Sequence, residues 1–119
     1  MKFISYDSKR KVELETEIRS AELTSIQLFV QTWVPDYLMR ALRDVDFSYP
    51  LFQWEEILKR SFMVGSPWRC FGAFTEKRLD GLLCLAIHEG NLKIEFVATA
   101  PWNYSPEGKM RRIGTGMIM

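Results

Sequence analysis

A chain of 119 residues, 47% hydrophobic and 26% charged, has the size and composition of one globular domain able to bury a core without covalent staples. Sixteen basic against fifteen acidic side chains leave a net charge of +1, which removes the basic excess expected of a general nucleic-acid binder. No run nears the ~20 apolar residues of a membrane span, and the first residues, Met1-Lys2-Phe3-Ile4-Ser5-Tyr6-Asp7, carry no apolar signal-peptide region. A cytoplasmic protein with neither nucleic acid nor membrane as partner is expected.

The two cysteines, Cys70 and Cys84, lie in apolar stretches without metal-ligand spacing, and buried reduced thiols are the favoured reading over a bridge. No metal site is expected.

Lys2 to Tyr6 is a candidate first strand, followed by the polar turn Asp7-Ser8-Lys9. From Lys11 to Arg19 the sequence alternates: Val12, Leu14, Thr16 and Ile18 on one side, Lys11, Glu13, Glu15, Glu17 and Arg19 on the other. Period two with a charged outer face predicts a half-exposed strand.

Ser20 to Val34 fits two periods. Leu23, Ile26, Phe29, Val30 and Trp33 form a helical stripe with Ser20 as a weak N-cap. Ile26, Leu28, Val30, Thr32 and Val34 alternate as a strand would, although the helix is favoured. Pro35 suits the first position of a second helical piece, Asp36 to Arg43, because its missing N–H is unneeded there. Ser48-Tyr49-Pro50 is a break. Leu51 to Phe62 then places Leu51, Trp54, Ile57, Leu58 and Phe62 opposite Glu55, Glu56, Lys59 and Arg60, an amphipathic helix.

After Gly65-Ser66-Pro67 the periodicity changes. Trp68 to Thr75, Leu79 to His88 and Leu92 to Thr99 are predicted strands, joined by the turns Glu76-Lys77-Arg78 and Glu89-Gly90-Asn91. The resulting order is strand, helices, then a three-stranded antiparallel meander. It predicts an α+β fold on a mixed sheet.

The tail carries the chemistry. A strand ending in Ala98-Thr99-Ala100-Pro101 is followed by a loop, Trp102 to Gly108, and by Lys109-Met110-Arg111-Arg112-Ile113-Gly114-Thr115-Gly116. Glycines at a helix start let backbone amides approach a ligand, and the orphan N–H groups with the helix dipole favour a diphosphate. Lys109, Arg111 and Arg112 add positive charge there.

This stretch resembles the GNAT superfamily of acetyl-CoA-dependent N-acyltransferases. The family signature is a strand, a loop and then Gln/Arg-x-x-Gly-x-Gly/Ala opening a helix, and Arg111-Arg112-Ile113-Gly114-Thr115-Gly116 matches its fixed positions. The element order, from first strand to third helix, is similar along the whole chain. In motif the resemblance covers only about Leu92 to Gly116.

The resemblance implies acetyl-CoA as co-substrate and a small-molecule or peptide amine as acyl acceptor. Backbone at Val97, Ala98 and Thr99 would pair with the pantetheine arm. The amides of Arg111, Arg112, Ile113, Gly114, Thr115 and Gly116 would hold the pyrophosphate. A bulge near the end of this strand would splay it from the next one and open the cofactor slot. Glu95, beside the expected thioester, would accept the amine proton; alternatively it faces solvent in an alternating strand or pairs with Lys93. Trp102 reads equally as a wall of the acceptor site and as an ordinary loop residue. His88 is expected at a hairpin end, and Trp33, Trp54, Trp68 and Phe71 in the core.

Compared with the family pattern, the sequence reaches only the opening of the diphosphate-binding helix. It is therefore expected to be a C-terminally truncated member: an N-acyltransferase lacking part of its fold, or an inactive CoA-binding or dimerising half-fold module. Its central strand would be an exposed edge, open to homo-oligomer formation.

Overall fold

The computed structural model of the protein describes residues 1–44, 54–104, 110–111 and 117. Alternation over the first twenty residues gives two strands, β1 (Lys2–Asp7) and β2 (Val12–Ser20), paired antiparallel with Phe3 opposite Thr16 and Ser5 opposite Leu14. A helical segment follows: α1 (Leu23–Leu28), a π-helical turn over Phe29–Trp33, and α2 (Val34–Arg43). Beyond it come α3 (Trp54–Ser61), the strands β3 (Trp68–Thr75), β4 (Arg78–His88) and β5 (Asn91–Thr99), the short α4 (Pro101–Tyr104), and a two-residue β6 (Met110–Arg111). The strand order is β5-β4-β3-β2-β1-β6, and every described pairing is antiparallel. The α+β class holds, whereas the expected mixed sheet is antiparallel among the described strands.

Between Ser20 and Val34 the helix forms and the alternating strand does not, but of the expected stripe only Phe29 and Trp33 are buried and Ile26 partly, while Leu23 and Val30 are exposed. The cap lies later than expected, because Ser20 still pairs with Phe71 and the Ala21 N–H donates to the Cys70 carbonyl at 2.9 Å. Glu22 takes the cap position, and its backbone N–H donates to Ser25 Oγ at 3.1 Å. The two expected helical pieces form one run through the π turn, where the Val34 N–H reaches the Phe29 carbonyl. Pro35 follows directly. It has no N–H to offer the preceding turn and its ring crowds the carbonyl four residues back, and a wider turn is one way a helix absorbs such a residue. The Thr32 hydroxyl donates to the Leu28 carbonyl in the same turn, which also favours bending.

Both meander turns are tight. Glu76 and Lys77 (φ 50° and 67°) and Glu89 and Gly90 (φ 52° and 80°) lie in the left-handed region, the two-residue geometry whose twist matches that of paired strands. Arg78 and Asn91, expected in turns, consequently begin strands. The predicted helix from Leu51 to Phe62 is described from Trp54; residues 51–53 lie outside the described residues. Phe62, expected on the buried face, is past the helix end and exposed.

The helices cover one face of the sheet. Phe29, Trp33, Trp54, Ile57 and Leu58 pack against Cys70, Leu82, Cys84 and Ala98, with Trp68 partly buried beside them. Phe96 meets Trp54 and Trp68 edge-on, with centroids 6.3 and 5.9 Å apart. On the opposite face Ala73, Leu83 and Met117 are buried among Phe3, Leu14, Ile18, Phe71 and Leu85. That face also contains a buried hydroxyl ladder across three strands, Ser5 Oγ to Thr16 Oγ1 at 2.6 Å and Thr16 Oγ1 to Thr75 Oγ1 at 2.7 Å. A hydroxyl both donates and accepts, so the ladder satisfies itself without water.

Trp33 fastens the helical layer to the sheet. It is fully buried and its indole N–H donates to the Leu79 carbonyl at 2.8 Å. Trp33→Phe keeps most of the apolar contact and orphans that carbonyl, so we expect a loss of about 1–3 kcal/mol in urea unfolding at unchanged m-value. An unchanged midpoint would show that the hydrogen bond contributes nothing.

Candidate functional site

β5 is an edge strand: it pairs with β4 on one side, and no described strand pairs with the other. Val97, Ala98 and Thr99 are opposite Leu83, Leu82 and Gly81. Two residues earlier the register shifts. Cys84 is opposite Phe96 and Leu85 opposite Ile94, leaving Glu95 as the extra residue of a β-bulge. A bulge re-aims side chains and bends its strand. Glu95 is solvent-exposed at this bend, yet its charge is close enough to Cys84 to disfavour the thiolate there. Ala98 is buried under the helices, while Val97 lies with Leu83 on the opposite face and is exposed.

The two thiols are free and directly opposite each other on β3 and β4. Hydrogen bonding with Cys70 and then burial push the Cys84 thiol up. His88 is exposed at the β4–β5 hairpin end, opposite Asn91. Among the described residues, no group of three or more His, Cys, Asp or Glu is placed to hold a metal, and no helix is long and apolar enough to cross a membrane.

The expected diphosphate cradle is divided. Met110–Arg111 forms β6, in which Arg111 is opposite Tyr6 and Met110 opposite Asp7. Arg111 is thus in a strand beside β1, where the sequence led us to expect the opening of a helix. Without β6 the end of β1 would leave backbone groups unpaired, and the pairing satisfies groups of both segments. Arg112, Ile113, Gly114, Thr115 and Gly116 lie outside the described residues. The structure brings Glu95, Val97, Ala98 and Thr99 together on β5 and does not pair Arg111 with them. α4 leads from the end of β5 and lies against both α2 and β6.

Asp80 fixes α4 in place. Its carboxylate is fully buried at the start of β4 and accepts four hydrogen bonds: Arg78 Nε at 3.0 Å and Nη2 at 3.1 Å, Trp102 Nε1 at 2.8 Å and Asn103 Nδ2 at 2.9 Å. The Asp80 carbonyl also accepts from the Ala100 N–H at 2.9 Å. A buried carboxylate without such donors would cost several kcal/mol. Arg78 also sits above the Trp102 ring, 5.9 Å from its centroid. Asp80 was missed from sequence, although a signal was there: a lone acid in the apolar run Leu79-Asp80-Gly81-Leu82, two residues after an arginine.

A second buried carboxylate closes the β1–β2 turn. Asp7 accepts from the backbone N–H groups of Lys9 and Arg10, both at 3.0 Å, and from Arg10 Nε at 2.9 Å. The Arg10 backbone N–H, then the Arg10 guanidinium and the Lys9 N–H, hold its pKa down at about 2 against the opposing effect of burial. Arg10 also bridges to Glu76 at 2.8 Å, joining this turn to the β3–β4 turn.

Comparisons of the chain with family models, with curated proteins and with solved structures found no match.

Two outcomes test these carboxylates. Asp80→Asn removes the charge that gathers three side chains, so amide exchange over Ala100–Asn103 should accelerate well beyond that of β3; equal protection in both proteins would deny Asp80 this role. Asp7 has a depressed pKa, so its contribution is complete above the unfolded value of about 3.9 and disappears as pH falls through about 2. The melting-temperature gap between wild type and Asp7→Asn should therefore be open at pH 7 and close between about pH 4 and pH 2. A pH-independent gap would show that the hydrogen bonds do not favour the ionised form.

Proposed function

We propose that the protein is a cytoplasmic acyl-CoA N-acyltransferase of GNAT type, or the CoA-binding portion of one, which passes an acetyl group from acetyl-CoA to an amine. The observation that carries this reading is the bulge at Glu95 on an edge strand, immediately before Val97–Thr99. The pantetheine arm would add to the open side of Val97, Ala98 and Thr99 as a strand would. The amides of the Arg111-Arg112-Ile113-Gly114-Thr115-Gly116 motif, chiefly those beyond β6, would meet the pyrophosphate. In the transfer, the amine nitrogen bonds to the thioester carbonyl carbon and the C–S bond breaks. CoA leaves as the thiolate, and the amine proton passes to a base, the role we assign to Glu95. Holding the two reactants together supplies most of the rate, and proton removal a further part.

The exposed apolar positions Ile87 (42%), Leu92 (65%), Ile94 (52%) and Val97 (38%) favour a second reading, an inactive CoA-binding or dimerising module. They form one patch on the β4–β5 hairpin, on the face away from the helices, and such a patch commonly marks an interaction surface.

Thermal unfolding with acetyl-CoA separates these readings from an unrelated fold. A ligand at a hundred times its Kd stabilises by about 2.7 kcal/mol, and desulfo-CoA should do the same because the thiol is not needed for binding. Gly114→Val should abolish the shift by filling the diphosphate space. No shift with either ligand at millimolar concentration, or an unaltered shift in Gly114→Val, would refute the CoA site. Thiol release with polyamine and amino-acid acceptors then marks the enzyme; binding without release, together with a dimer in sedimentation, marks the module.

A further inference from the structure

A cleft of about 380 Å³ opens between α2, the β1–β2 turn, the start of β4 and α4, lined by Lys9, Thr32, Asp36, Arg40, Arg78 and Trp102. Its described lining residues do not include Glu95 or Val97–Thr99, although Trp102 stands just beyond the end of β5 and Arg78 at the start of its neighbour β4. Three cations from three elements converge on it. Arg40 Nε is held by Asp36 at 2.6 Å on the same helix, and Arg78 by both oxygens of the buried Asp80. These anchors preset the two guanidinium planes. A guanidinium carries five N–H donors in a fixed fork, so donors remain on each for a ligand.

Charge balance decides what kind of anion fits. Among the described residues, Lys9, Arg40 and Arg78 face Asp36 in the cleft and Asp80, which holds Arg78, and three positive groups against two negative leave one unit of positive charge. A monoanion neutralises it, while a phosphate dianion would overshoot. Planar forks also match the planar, two-oxygen geometry of a carboxylate. The remaining described lining is Thr32, whose hydroxyl is donated to the Leu28 carbonyl, and the Trp102 indole, whose N–H is taken by Asp80 and which offers ring surface beside the Arg78 guanidinium. A flat apolar body stacks on such a surface.

We propose that this cleft binds a small organic monocarboxylate with a flat, apolar body, its carboxylate held by Lys9, Arg40 and Arg78 and its body laid against Trp102.

Nitrogen-15 NMR of the full chain tests this, following the Trp102 indole N–H, assigned by its loss in Trp102→Phe. Benzoate should shift that signal saturably at millimolar concentration, and benzamide, the neutral isostere, should not. Lys9→Gln, a change at an exposed turn, should weaken benzoate about threefold, as expected for one partly screened charge, with the amide spectrum otherwise unchanged. Added salt should weaken it further. The proposal fails if benzamide shifts the signal as strongly as benzoate, if inorganic phosphate binds there more tightly, if Lys9→Gln leaves the benzoate affinity unchanged, or if no saturable shift appears with benzoate.

Discussion

A carboxylate removed from water must be met by donors, and the buried Asp80 is met by donors from two elements, β4 and α4. Arg78 comes from its own strand; Trp102 and Asn103 come from the turn after β5. Because those bonds reach back from α4 to β4, the path of the chain leaving β5 is fixed. The end of β5, the position of α4 against α2 and the wall of the charged cleft all follow from that one satisfied group.

The two sheet faces solve different problems. Under the helices the contacts are apolar and aromatic, and Trp33 adds one directional bond to the Leu79 carbonyl, next to Asp80. The other face has hydroxyls at Ser5, Thr16 and Thr75 that bond one another, with Met117 packed further along among Ala73 and Leu83. The β4–β5 corner of that face remains apolar and open. Its bulge and its flanking charges, Lys93 and Glu95, are features that discourage indiscriminate strand pairing.

Much of the secondary structure was legible because period and turn chemistry are local. The strands from Val12 and Trp68 and the helix through Ile57 and Leu58 follow directly from spacing, and Glu89-Gly90 from the left-handed backbone a two-residue hairpin needs. Less of the candidate site could be read. The slip at Glu95 depends on how Cys84 and Leu85 meet their partners across the hairpin, and no window of sequence around Glu95 contains that information. Arg111 had the charge and the glycine neighbours of a helix start, yet its described backbone runs as a strand beside Tyr6, since a partner edge nearby outweighs a local preference.

By itself the sequence determined the α+β order of elements, the near-neutral charge and the presence of a glycine-rich basic motif after a strand, and only part of the apolar helix faces, since Leu23, Val30 and Phe62 are exposed. Each is a property of neighbours along the chain. Only the tertiary structure decided that Asp80 would gather Trp102 and Asn103 from more than twenty residues away, and that Lys9, Arg40 and Arg78 would share one cleft. Burial and charge proximity arise when distant segments are packed together, and the same residues in an extended chain would neither be desolvated nor meet.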